Sequence, residues 1–437
     1  MSLWSRWRRL VARDRGFLGA LRSRAGALSS ARSRRIAAQL PSAPLPRVDL
    51  ARRLRIVRTK PGPMRVVYED AVVHEKYSLR ARVVQHGARL VLKPLMYWVP
   101  MSDNTIRALR TVDRMSARGP RSRFVEPVRF ELGGVAVESM THRFGPSSDM
   151  TILYFHGGGF FSCGIETHRR ICERLALYSG GSVISVDYVQ LPEGNVADSV
   201  QDAINAYEGL LETVQNPDKI VVAGDSAGGY LTMKVAELAT RRGLPAPAAL
   251  LTFSPLLSID PDSETKGIQT VIRARDAYLP RHRIATVRER WLPAGAVVEG
   301  YTSPLHAANY INSPTFFVAV EDELLRPEVE AMALQMAERG VDVEIHLWRG
   351  LVHAFPVMAD ALPEGRQALQ LAAEFARRAV GESPAQSTHD VHAHAEPIVG
   401  ELVGEEPETI EQPEIIDVEL EPGPGRERRK RWHFEAG

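Results

Sequence analysis

The sequence predicts an α/β fold with a mainly parallel central sheet, helices on both of its faces and a helical cap. Three observations predict it. Between residues 150 and 380, short runs rich in Val, Ile, Leu and Phe alternate with segments of helical period. Strands apolar on both sides belong in a sheet that is covered on both faces. A Gly-x-Ser-x-Gly spacing at Gly224, Ser226 and Gly228 falls at one strand-to-helix junction. The rhythm breaks over 258–302, an insertion expected above the carboxyl ends of the strands, where open α/β sheets bind their ligands.

From the amino end, Trp4, Trp7, Val11, Leu18 and Leu21 fall on one side of a helix drawn at about 3.6 residues per turn. Arg6, Arg9, Arg13 and Arg24 take its flanks and back. That pattern suits a helix lying on an anionic membrane surface, and equally a basic arm or a helix docked on the domain. Residues 1–62 therefore form a basic N-terminal extension. Residues 63–120 have a helical and partly apolar pattern, notably "LVLKPLMYWVP", and Ser102 and Asp103 offer an N-cap to the next helix. "PVRFELGGVAVESMTHRF" alternates around Gly133 and Gly134 as a hairpin does.

Apolar runs then place strands at 150–155, 182–187, 219–224, 248–253, 314–320 and 342–348, with helices near 166–179, 197–213, 226–241, 327–339 and 363–380. The folded domain is expected over 63–382, with cap elements near 63–120 and 258–302. Residues 383–437 form an acidic tail ending in a basic cluster, and dense charge with few aromatics predicts disorder there. His389, His392 and His394 in that tail are read as solvated, not as metal ligands.

The chain has 437 residues, 44% of them hydrophobic, which is ample for a large core. Net charge is only +2, with 55 Lys and Arg against 53 Asp and Glu, but the basic excess sits at the head and the acidic excess in the tail. No nucleic-acid recognition motif accompanies the basic residues, so a nucleic-acid partner is not expected. Cys163 and Cys172 are too few for a disulfide framework, which favours a reducing compartment. No run approaches the roughly 20 apolar residues of a spanning helix. Arginines interrupt every candidate signal segment. The expected location is cytoplasmic, with peripheral membrane association if the N-terminal helix lies on a bilayer.

Chemistry is concentrated in three places. A sharp turn between strand and helix lifts the Ser226 hydroxyl above the sheet, and the flanking Gly224 and Gly228 leave room for that turn. A bare serine is a poor nucleophile, so a histidine base and an orienting carboxylate must follow, in the order acid then histidine. Asp322 lies just past the 314–320 strand and His353 past the next, in a loop running from Gly350 to Pro356. Glu321 and Glu323 rival Asp322, because only one of three consecutive acids can point at the imidazole. His346, on the strand itself, reads as structural. The run His156-Gly157-Gly158-Gly159 brings side-chain-free backbone close to a developing oxyanion, with Gly158 and Gly159 donating from the loop and Ala227 from the first turn of the following helix. Such chemistry needs no metal and no organic cofactor.

The blocks "HGGGFFSCG", "DYVQLPEGNVADSVQDAINAY", "GDSAGGYL", "EDELL" and "VHAFP" together resemble the hormone-sensitive-lipase-like branch of the α/β-hydrolase fold, the bacterial family IV esterases and lipases. The resemblance covers roughly residues 85–380. It implies a nucleophile at Ser226, an acid at Asp322, a base at His353 and oxyanion donors at Gly158, Gly159 and Ala227. His156, Gly157, Gly224, Asp225 and Gly228 support these motifs. The implied activity is carboxylester hydrolysis through an acyl-enzyme, on a short-to-medium acyl or lipid-like ester. Leu95, Met96, Tyr97, Trp98, Phe160, Phe161 and Leu257 are expected pocket walls. "EDELLRPE" departs from the branch's usual Asp-Pro-Leu-Arg-Asp, and the "YVQLPEGN" segment lacks the proline common in the branch after the strand-to-helix bend. A non-catalytic ligand-binding or membrane-scaffolding protein on the same fold is the alternative; related plant hormone receptors lose the histidine, whereas His353 is present here.

Overall fold

The computed structural model describes residues 55–57, 65–67 and 71–382, except for 99, 120, 260–275 and 280–286. The helix expected within 1–35, the tail from 383 and the middle of the 258–302 insertion lie outside the described residues.

A short antiparallel hairpin pairs β1 (Arg55–Val57) with β2 (Arg65–Val67). β3 (Val72–His74) follows, then a helical stretch formed by α1 (Leu79–Gly87), a π turn over Ala88–Leu92 and α2 (Lys93–Trp98). α3 (Asp103–Ser116) starts at an N-cap where Ser102 Oγ accepts from Thr105 N at 3.3 Å. β4 (Val125–Leu132) and β5 (Val135–His142) form the expected hairpin around Gly133 and Gly134. The alternating region then runs β6 (Thr151–Phe155), α4 (Ile165–Ser179), β7 (Ser182–Val186), α5 (Val196–Thr213), β8 (Ile220–Asp225), α6 (Ala227–Arg242) and β9 (Ala249–Phe253). Beyond the insertion it resumes with β10 (Thr315–Val320), α7 (Arg326–Glu338), β11 (Val343–Trp348) and α8 (Pro363–Ala379).

Nine of these strands form one sheet in the order β3-β11-β10-β9-β8-β6-β7-β5-β4. All pairings from β3 through β7 are parallel, and the two at the far edge, β7 with β5 and β5 with β4, are antiparallel, so β5 alone is reversed. Alternation along β8 explains the two cores. Ile220 and Val222 join one apolar layer with Tyr207, Tyr230 and Met332 from α5, α6 and α7, while Val221 and Ala223 join the other with Leu175, Leu369 and Phe375 from α4 and α8. A strand buried on both faces must be apolar at every position, which is the continuous pattern the sequence displays.

One expectation needs correction. Residues 63–120 read as helical, yet β2 and β3 lie among them, β2 paired with β1 and β3 paired in parallel with β11 through Val72, Val73 and His74. Three residues are too few to establish a period of two, so tertiary pairing creates β3 without a local signal. The segment after it contacts the insertion: Lys93 Nζ donates to the Asp276 carbonyl at 2.6 Å, and the Arg290 guanidinium donates to the Met101 carbonyl and the Asp103 carboxylate.

Candidate active site

β8 lies in the middle of the sheet and ends at Asp225, so the next residue stands at its carboxyl edge. Ser226 occupies the junction with φ of +52°, a left-handed conformation that non-glycine residues adopt rarely. Hydrogen bonds hold it there: Ser226 N donates to Phe253 O at 3.0 Å, and Leu256 N donates to Ser226 O at 2.9 Å. The flanking glycine is a packing requirement, because a Cβ at Gly228 would stand 1.9 Å from Phe155 O.

His353 lies beyond β11 in a turn where Ala354 also has positive φ, +52°, and Ala354 N donates to Ser254 Oγ at 3.1 Å. The imidazole Nε2 is 2.9 Å from Ser226 Oγ, and Nδ1 is 3.0 Å from Glu323 Oε2. The carboxylate on the imidazole is therefore Glu323, not Asp322. A tight turn after β10 explains this: Glu323 N donates to Val320 O at 3.2 Å, and Val320 N donates to Glu323 Oε1 at 3.0 Å, which folds the third acid inward. Glu323 is only 1% exposed, Asp322 is half-buried, and Glu321 instead accepts from Arg349 Nε at 2.6 Å. His346 sits at the sheet edge between His74 and Glu344, with contacts of 2.8 and 2.7 Å.

Burial pulls the His353 pKa down, but the hydrogen bond to Glu323 and its charge, then the charges of Asp276 and Asp225, outweigh it and leave the imidazole above its ordinary value. With Nδ1–H given to Glu323, the Nε2 lone pair faces the serine hydroxyl.

The glycine loop lies opposite. Gly158 has φ of +116°, a region closed to other residues, and a Cβ there would meet Ser162 O at 1.9 Å. Among the hydrogen bonds of the described residues, none uses the amides of Gly158, Gly159 or Ala227 as donors. The loop is tied to the serine turn through Asp225, whose carboxylate accepts from Gly157 N at 2.9 Å and Tyr154 OH at 2.7 Å and lies 3.3 Å from His168 Nε2. Burial raises the Asp225 pKa, but the charge and hydrogen bond of His168 outweigh it, so the buried carboxyl stays below its usual range. His156 is completely buried, stacks 4.4 Å from the Tyr188 ring and has Nδ1 2.8 Å from Gly157 O. Burial, with neighbouring His168, pushes its pKa down to about 4, so the ring is neutral near pH 7 and shapes the loop.

Three residues of the insertion complete the site without any motif to announce them. Trp291 Nε1 donates to Gly159 O at 2.8 Å, while Phe160 packs edge-on against Trp291, Tyr230 and Tyr188. The buried Asp276 carboxylate accepts from Leu324 N at 2.7 Å, one residue past Glu323, and from Tyr278 N and Leu279 N. The Tyr278 ring centre lies 5.6 Å from that of His353. Of the expected pocket walls, Phe160 and Leu257 are buried and Phe161 is half-buried, but Leu95, Tyr97 and Trp98 are exposed on the outer surface. Helical alternation marks apolar positions without saying which face of a peripheral helix meets the domain. Among the described residues, no group of three or more His, Cys, Asp or Glu side chains is placed to hold a metal ion.

A serine on a strained strand-to-helix turn at the centre of such a sheet, with an imidazole and a free-amide loop around it, defines an α/β-hydrolase fold carrying a serine hydrolase site. A family profile described as alpha/beta hydrolase fold matches residues 152–357. The chain is 32% identical over 306 residues to esterase LipU of Mycobacterium tuberculosis, covering 68% of this chain and 93% of the relative. It is 30% identical over 256 residues to carboxylesterase/phospholipase LipF of the same organism, covering 56% of this chain and 67% of the relative. A crystal structure of an esterase from the bacterial hormone-sensitive lipase family superposes with a TM-score of 0.62 at 26% identity, over 70% of this chain and all of the other. The chain belongs to the hormone-sensitive-lipase-like α/β hydrolases, and its activity is carboxylester hydrolysis of the serine type.

Proposed function

We propose that Ser226 attacks the ester carbonyl while His353 Nε2 takes its proton, and that Glu323 holds and charge-stabilises the imidazolium. The tetrahedral oxyanion is received by the amides of Gly158, Gly159 and Ala227, the last at the positive end of α6. His353 then returns the proton to the alcohol as it leaves. Water, deprotonated by the same imidazole, attacks the acyl-Ser226 carbonyl, and the carboxylic acid departs with the serine restored. The observation that supports this reading is the 2.9 Å approach of His353 Nε2 to Ser226 Oγ.

The substrate is a short-to-medium acyl or lipid-like ester, a reading favoured by the carboxylesterase/phospholipase named among the relatives. The cap is made by the helices before residue 120 and by the 258–302 insertion. The protein works inside the cell at an anionic membrane surface, reached by the arginine-rich N-terminal segment; no helix among the described residues is long and apolar enough to cross a membrane. Ser226→Ala is expected to abolish release of p-nitrophenol from p-nitrophenyl butyrate and labelling by a fluorophosphonate probe, with an unchanged thermal unfolding curve. Native turnover or labelling in that variant rejects the assignment.

A further inference from the structure

The stretch from Leu79 to Trp98 is continuously helical and about 30 Å long at 1.5 Å per residue. One side faces the domain: Ala81 and Gln85 are buried, and Val84 and Ala88 pack against the core. The opposite side is also apolar. Leu79, Val83, Leu90, Val91, Leu95 and Trp98 are each between 56% and 77% exposed. In an uninterrupted α-helix these six would spread over nearly half the circumference. The π turn at Ala88–Leu92 spends one more residue per turn and sets later residues back by roughly 100°. Leu95 and Trp98 thereby return to line with Leu79 and Val83, giving a single stripe about a quarter of the circumference wide. Arg80 borders it on one side and Arg82 and Arg89 on the other, and all three are exposed.

We propose that this outer face docks on an anionic phospholipid bilayer. An apolar arc bordered by arginines and carrying a Tyr-Trp pair at one end, Tyr97 and Trp98, matches the headgroup and acyl boundary of a membrane. Charge calls for an anionic occupant, and the apolar stripe with its aromatic end suits a bilayer better than the chain's own acidic tail, which carries eleven Asp or Glu and no Phe, Tyr or Trp over residues 383–421. Residues 79–123 hold ten Lys or Arg against two Asp and no Glu. Residues 1–62 are also strongly basic, with sixteen Lys or Arg against two Asp, so neither the chain's own N-terminal segment nor a second copy of this face supplies the anions the arginines would meet. Lys93, on the inward side, donates to the Asp276 carbonyl, two residues from the Tyr278 ring that faces His353. The docking helix therefore touches the part of the insertion that neighbours His353. The inference is independent of which residue attacks the ester, because its test reads binding.

The full-length protein is floated with vesicles of phosphatidylcholine alone or with a quarter phosphatidylglycerol. The native chain is expected to float with the anionic vesicles and to be released by raising the salt. Leu90→Glu with Val91→Glu is expected to weaken that partition by on the order of tenfold or more, with hydrolysis of a water-soluble short ester unchanged as the control for folding. Arg80→Gln with Arg82→Gln and Arg89→Gln is expected to lower binding to anionic vesicles several-fold and to leave binding to neutral ones unchanged. Absence of native binding overturns the proposal, as does undiminished binding by the glutamate variant, which would assign the contact to the N-terminal segment. A native dimer that the glutamate variant converts to monomer also overturns it, in favour of a second copy.

Discussion

Glu323 and Asp322 are neighbours in sequence and opposites in environment. Glu323 is buried and shares its two oxygens between Val320 N and His353 Nδ1, whereas Asp322 is half-buried beside Arg349. Glu323→Gln keeps the shape but loses the charge that holds the imidazolium, and a fall in kcat of about 10⁴ is expected, as for other triad carboxylates turned to amides. Asp322→Asn is expected to keep kcat/KM near the native value; a collapse there with a tolerated Glu323→Gln would exchange the two roles. The acid of the pair was not legible in "EDELL", because choosing among three carboxylates depends on a turn that only the folded backbone displays. Ser226 was legible, since its strain and its glycine neighbours are written into a fixed spacing. The His353 pKa is raised, so the base is lost to protonation at a higher pH than a free imidazole would be, and kcat/KM is expected to fall on the acid side above the ordinary histidine range.

At the scale of elements, the insertion holds two ends of the site together. Trp291 grips the outer carbonyl of the glycine loop, and Asp276 grips the backbone next to Glu323. Trp291→Phe keeps the ring packing on Phe160 and removes one hydrogen bond, so kcat is expected to fall roughly five- to tenfold with KM little changed. Asp276→Asn removes one of the anions facing His353, the others being Glu323 and Asp225, with Tyr278 and Ser226 as its uncharged neighbours. The imidazole pKa drops, and the acid limb of the kcat/KM profile is expected to move to lower pH; an unmoved limb would show that Asp276 acts only on the backbone. The alternating core was legible almost residue by residue: six strands and five helices start and end within one residue of the positions that apolar periodicity assigns. β3, Trp291 and Asp276 were not, because each owes its role to a partner distant in the chain and none stands in a repeating pattern.

Across the whole molecule, buried histidines tie stability to pH in opposing ways. His156 has its folded pKa lowered from 6.5 to about 4, so protonation favours the unfolded chain, and its contribution is present above the unfolded value and lost as pH falls from about 6.5 toward 4. His168, raised by the charge and hydrogen bond of Asp225 against its burial, stabilises the fold below the unfolded value and loses that contribution as pH rises through its folded pKa. Thermal unfolding followed from pH 7 down to pH 4 is expected to show a falling Tm, with a shallower slope for His156→Phe if that ring is the proton acceptor.

The outermost strand on one side of the sheet is only three residues long, yet it covers the carboxyl-terminal half of the free side of β11, the strand that leads to His353. Trimming the chain at residue 75 would leave the amide and carbonyl row from His346 to Trp348 without a mate. Exposed rows of this kind recruit strands from other molecules, so shortened versions of the protein would tend to self-associate beside the catalytic loop, and a minimal active fragment has to begin before Val72.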